Sequence, residues 1–350
     1  MAYTNIDDPS AHFQAKAYTG NGDSSDDTNA ITNDGNSDLK PDLTWFKRRN
    51  YDNQHLLFDS TRGVTKYLTS DRNDAEGTIA DRLVSFNTDG FTVKSSSGAV
   101  NQHDEPFICW QWKANGGTTS TNNDGNHSSV VQANQDAGFS IITYTGTGNT
   151  STTIGHGLGV KPDLIIFKRR DAGTNNWDVQ IKGEARTTLN TDGTEATNVL
   201  CTFTSTTTNL GSTATAEKNA ANATYVAYAF ASKQGYSKIG RYVGNGNANG
   251  PFVYTGFKPA FILIKGNSNY KYWYIFDNKL DPINQVDTGI SPSNVFAENT
   301  NTNIGIDFLS NGFKLRNSAT TTNESGTNTL YMAFAENPFT TSTGIPTTAR

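Results

Sequence analysis

Apolar runs of roughly five to eight residues recur along the chain between clusters of Gly, Asn, Asp, Ser and Thr. None keeps a 3.6-residue period over three turns, so the pattern predicts strands and turns rather than helices. The runs return in a fixed order. Three segments open on an aromatic strand and a Gly-x-Gly turn, at Phe13 to Gly22, Phe139 to Gly148 and Tyr236 to Gly246. A Lys-Pro pair then leads an apolar run: KPDLTWFKRR at Lys40, KPDLIIFKRR at Lys161 and KPAFILIKGN at Lys258. His55, Trp177 and Trp273 follow those lysines by 15, 16 and 15 residues. NTDGFTVK from Asn87 and LSNGFKLR from Leu309 mark a further strand in the first and third copies, with no clear counterpart in the second. All three copies close on an aromatic strand, FICWQWKA, YVAYAFAS or LYMAFAEN. One unit is thus repeated three times.

The repeat predicts an all-β fold of three tandem β-sandwich modules, of a lectin-like jelly-roll kind, at 13–113, 139–233 and 234–339. They are flanked by an N-terminal arm (1–12) and a C-terminal tail (340–350). The runs led by Lys-Pro are apolar on both faces, as in Leu164 to Phe167 and Phe261 to Ile264, so they predict central strands of the core. Residues 114–138 are rich in Gly, Ser, Thr and Asn and read as a polar linker. Only Ser232 to Gly235 separate the second and third copies, so the expected shape is one module tethered to a rigid pair, the first packing on its own chain or on a neighbour's.

Charge narrows the function classes. Lys and Arg number 28 against 33 Asp and Glu, a net charge of −5 that gives no general attraction to nucleic acid or anionic lipid. No apolar stretch is long enough to span a bilayer, and MAYTNIDDPSAHF has neither the basic nor the apolar part of a secretory signal. Cys109 and Cys201 lack the spacing of a disulfide framework or metal site and are expected as free thiols.

Candidate chemistry is sparse. GHGLG at Gly155 to Gly159 looks like a phosphate cradle, but no helix start follows, so its glycines read as turn formers and His156 as a partner of a loop carbonyl. Asp23, Asp26, Asp27, Asp34 and Asp38 crowd the Asp23–Asp38 loop and offer oxygens to calcium, although their spacing fits no loop consensus and a solvated loop accounts for them. No other cofactor is expected, and no catalytic residues stand out. Lys47, Arg48, Arg49, Lys168, Arg169 and Arg170 form the most repeated charge feature. They are candidates for contact with an acidic ligand or a neighbouring subunit, or for capping a strand end. Trp177 alternates with polar Asp178 and is read as core rather than as a sugar platform.

The order DPSAHFQAKAYTGNG, LKPDLTWFKRR, HLLFDSTRG, CWQWKANGG, then GFSIITYTGTG to KPDLIIFKRR, and GYSKIGRYVGNG to YMAFAENPF resembles the repeat proteins encoded in virion-structure regions of marine bacteriophage genomes, over residues 8 to 339. The second copy departs from it in lacking the FDSxRG segment of Phe58 to Gly63. The resemblance implies a non-enzymatic virion component on the particle surface, assembled in host cytoplasm with other virion proteins, as tail fibre, tail appendage or head decoration. A homotrimer is expected, without nucleic acid or membrane insertion. The alternative is a receptor-recognition module that binds a host-surface glycan, and a polysaccharide depolymerase is the third reading.

Overall fold

A computed structural model describes residues 4–24, 26–94, 98–183, 185–196, 201–211, 216–268 and 270–337. The chain is all-β, with only two short 3-10 turns among the described residues. No helix there is long and apolar enough to cross a membrane.

Each copy builds the same antiparallel four-stranded sheet. Its opening strand is Phe13–Thr19, Phe139–Thr145 or Ser237–Val243. The second is Leu43–Arg48, Leu164–Arg169 or Phe261–Lys265. The third is Leu56–Asp59, Asp178–Ile181 or Trp273–Asp277, and the closing strand is Pro106–Trp112, Thr224–Phe230 or Asn328–Phe334. In every copy the closing strand lies between the opening and second strands, and the third strand lies beyond the second. The registers correspond: Trp45 faces Trp110 and Leu57, Ile166 faces Tyr228 and Val179, and Leu263 faces Met332 and Ile275.

The uninterrupted apolar runs follow from two cores. Phe46, Phe167 and Ile264 point into three separate outer cores, each closed by a smaller sheet. Those sheets comprise Thr28–Ile31 with Phe91–Lys94 and Leu83–Phe86, then Thr153–Gly155 with Thr207–Asn209, and Phe252–Tyr254 with Gly312–Leu315 and Ile306–Leu309. Thr207–Asn209 holds the place of the Gly-Phe strand missing from the second copy's sequence. Among the described residues the layers are four strands over three in the first and third copies and seven over two in the second, none of them a jelly roll's four over four. Leu43, Trp45, Leu164, Ile166, Phe261 and Leu263 point the opposite way, into one core shared by all three copies. Strands buried on both faces need no polar alternation.

The tethered arrangement predicted for residues 114–138 is corrected. Ser120–Asn122 and Ser129–Asn134 form a hairpin that extends the second copy's sheet beside its opening strand. Its approach is fixed to the first copy. Asp42 accepts from the Ala114 and Gly116 amides at 2.7 and 2.8 Å, while the buried Gln132 accepts from Gly117 N–H and donates to Ser60 and Thr61. These side chains satisfy backbone groups that a flexible linker would leave to water. The N-terminal arm is also partly fixed, since Ile6 lies in the shared core. The tail predicted at 340–350 lies outside the described residues.

Candidate functional site

The three copies close a ring in which each interface uses corresponding positions, at some of them with different side chains. At one position, His55, Trp177 and Trp273 each reach a backbone carbonyl of the next copy. Trp177 Nε1 donates to Thr69 O at 2.8 Å, Trp273 Nε1 to Thr188 O at 2.8 Å, and His55 Nε2 lies 3.0 Å from Ser291 O. Thus the second copy holds the first, the third holds the second, and the first holds the third. A head-to-tail contact of this kind closes only when its rotation returns to the start, and here one chain supplies all three parts.

The candidate cations belong to this ring. Arg170 makes two bonds to Glu76, at 2.8 and 3.0 Å, and Arg49 makes two to Glu298, at 2.7 and 3.2 Å. In the third copy Asn267 stands where the arginine is lost and accepts from Glu195 N–H, while Arg241 supplies the fork to Glu195 at 3.1 and 2.8 Å. Lys47 and Lys168 are buried, as is Lys265 of the third copy, and all three ammonium groups donate to loop carbonyls. Burial lowers each to about 8. Arg48 bonds Gln102 and pairs with Glu105, whereas Arg169 pairs locally with Asp171. Five of the six therefore bind within or between copies around the second strands, and Arg169 is a surface pair. Together they do not form an open basic patch.

A second set of contacts explains the lost FDSxRG segment. Asp59 accepts from Tyr228 Oη of the second copy at 2.7 Å, and Asp277 accepts from Trp110 Nε1 of the first at 2.8 Å. The corresponding positions at the remaining interface are Ile181 and Met332, both in the shared core. Where the acid disappears, its donor disappears with it, so neither member of this contact is left without the other.

His55 adds a pH-sensitive contact. Trp45 donates Nε1–H to its Nδ1 at 3.0 Å, so the ring is neutral and Nε2 carries the proton toward Ser291 O. Burial, then the Lys47 charge, hold its pKa well below the ordinary value. A lowered histidine contributes stability above about pH 6.5 and loses it as pH falls further. Asp277, raised to about 6 by burial, acts in the opposite direction as it protonates. The comparison that isolates the imidazole is His55→Gln, which keeps Asp277. Between about pH 6.5 and 4.5, urea denaturation should show the parent's advantage over this variant shrinking. Parallel pH profiles would refute the assignment.

Among the described residues the hairpin of residues 120–134 has no counterpart in the other sheets, and it builds a cleft of about 400 Å³. Asn115, Ser120, Asn122, Asp124, Gln135 and Thr206 form its polar lining, and Val131, Ala133, Gly157 and Gly159 its less polar part. The glycine loop is positioned from both sides. Ser129 donates to Gly155 O at 2.7 Å and Gln135 to Gly157 O at 2.9 Å. Buried His156 accepts from Leu158 N–H, and its Nε2 faces Thr204 O. Gly157 has φ +74°, and a Cβ there would lie 3.1 Å from Ala133 Cβ, while a Cβ at Gly155 would collide with Asn122 Oδ1. These glycines permit a turn and a close approach to the hairpin. Two residues beyond Asp124, Asn126 and His127 line a second recess of about 220 Å³ with Thr147, Asn149, Ser151 and Thr152.

The acidic loop is arranged differently from a calcium site. Asp34 pairs with Lys16 and Lys279, Asp26 with Lys94, and Asp27 accepts from the Asp23 and Ser24 amides. Among the described residues, no three His, Cys, Asp or Glu side chains are grouped to hold a metal. Cys109 and Cys201 are both free and buried.

Fold and site together define an all-β protein in which three sandwich-like copies close a pseudo-threefold ring and one copy carries an added hairpin and cleft. The chain belongs to the DUF7483 family, a domain of unknown function, whose profile matches residues 8–338. No curated protein and no solved structure matches it.

Proposed function

We propose that this protein is a non-enzymatic structural component of a bacteriophage virion, displayed on the particle surface in a tail fibre, tail appendage or head decoration. The observation that carries the reading is the closed ring. Buried ionisable groups such as Asp59, Arg62, Lys168 and Asp277 join copies or anchor loops, giving a firmly fixed body with three related faces. Such a body suits a symmetric assembly, where neighbouring virion proteins present repeated surfaces. It is assembled in the host cytoplasm and then held on the particle. A homotrimer of this chain would be a second level of assembly, because one chain already completes the inner threefold arrangement.

Gold-labelled antibody against the recombinant protein, imaged on purified phage particles by electron microscopy, tests this reading. Label on the tail, its fibres or the capsid is the expected result and distinguishes the three locations. Protein confined to the lysate, with clean particles that carry neither label nor the polypeptide by mass spectrometry, would overturn it.

A further inference from the structure

We infer that the cleft beneath the 120–134 hairpin is a binding site for neutral saccharides. A pyranose presents hydroxyl groups around its rim and C–H groups on its faces, so its site needs amide, hydroxyl or carboxylate partners beside a small apolar surface. The lining supplies both. Asn122, Gln135, Ser120 and Thr206 offer donors and acceptors, and Val131 and Ala133 lie beside glycine backbone. The volume of about 400 Å³ accommodates one or two sugar rings.

Charge restricts the ligand further. Among the described residues, Asp124 is the sole ionisable one lining the cleft, and no Lys or Arg shares it. A carboxylate accepts well from vicinal hydroxyls but repels sulfate, phosphate and uronate groups. Asp124 is held in place by its neighbour: its amide donates to Asn122 Oδ1 at 3.0 Å, and Asn122 Nδ2 donates to its Oδ2 at 3.0 Å. The loop that forms the other wall is fixed by Gln135, Ser129 and His156, so the cavity does not have to form on binding.

The site stands apart from the virion reading, and its test uses the soluble full-length chain. Saturation-transfer NMR would be run with glucose, galactose, mannose and N-acetylglucosamine and their tetrasaccharides, and in parallel with sulfated and uronate-containing oligosaccharides. Neutral sugars are expected to receive saturation, with Asp124→Ala weakening binding at least tenfold and Thr206→Trp abolishing it by filling the cleft. Unchanged melting temperatures would show that both variants fold, and Tyr270→Ala, in the third copy, should bind as the parent does. Transfer to no neutral sugar, transfer to anionic sugars alone, or transfer that survives Thr206→Trp would each overturn the proposal. Sugar binding without labelled particles, or the reverse, tells failure of one reading from failure of the other.

Discussion

Asp59→Ala is expected to destabilise the protein by about 3–5 kcal/mol, the range for removing one member of a buried ion pair. The Arg62 side chain is wholly buried; its Nε lies 2.6 Å from Asp59 Oδ2 and its Nη1 lies 2.9 Å from Glu76. Burial opposes its charge, but Asp59, Tyr228 and Glu76 outweigh that cost and raise its pKa. Alanine would leave the guanidinium with Glu76, which is already engaged by Arg170, and would remove the acceptor of Tyr228 Oη. The chain itself contains an apolar solution at the matching interface. Asp59→Ile with Tyr228→Met reproduces the Ile181 and Met332 pair, and Arg62→Leu follows Leu280, which stands three residues after Asp277 in the shared core. Replacing Asp59, Arg62 and Tyr228 together leaves Glu76 paired with Arg170 and so avoids the uncompensated charge. The triple variant should therefore recover more than half of the loss in urea denaturation. A single variant that costs under about 1 kcal/mol, or a triple variant no better than the single, would show that Arg62 does not depend on this contact.

How much of this was legible beforehand depends on whether the information lies within one copy or between copies. The all-β class and the order of the main strands were readable, because aromatic and β-branched runs end at Gly, Asn and Asp in all three copies. Leu164 to Phe167 also announced a strand covered on both faces. The ring was not readable, since each interface solves the same contact with different chemistry. His55 matches two tryptophans in role, and Ile181 looks like a degraded motif until Met332 is seen at the position matching Tyr228 and Trp110. Arg241 replaces a lost arginine from another strand, so no comparison of aligned positions could find it. The hairpin was missed for a related reason. Its strand carries Gln132 and Asn134, whose side chains bond to neighbouring segments, and polar composition therefore resembled that of a linker. Asp178 similarly stands at a polar position beside Trp177, yet it is buried, with Lys218 paired to it at 2.9 Å. The cleft depends on a long-range approach between GHGLG and that unrecognised hairpin.

Trp177→Ala should cost about 3–5 kcal/mol, as expected when a large aromatic side chain is deleted from a core that cannot collapse freely. The indole is fully buried, stacks on Tyr228 with ring centres 6.4 Å apart, and donates to Thr69 O of the neighbouring copy. Trp177→Phe retains much of the apolar volume and loses the donor, so a smaller cost of about 1 kcal/mol isolates the hydrogen bond. Trp177→His carries a different lesson. Histidine fills this position in the first copy because Trp45 donates to its Nδ1, but the residue corresponding to Trp45 in the second copy is Ile166. Histidine alone would bury an unsatisfied nitrogen; with Ile166→Trp it would regain its donor. The paired variant should therefore be more stable than Trp177→His alone in urea denaturation. Additive losses instead would mean that the two positions are not coupled, and that the interfaces share their geometry without sharing this hydrogen-bond relay.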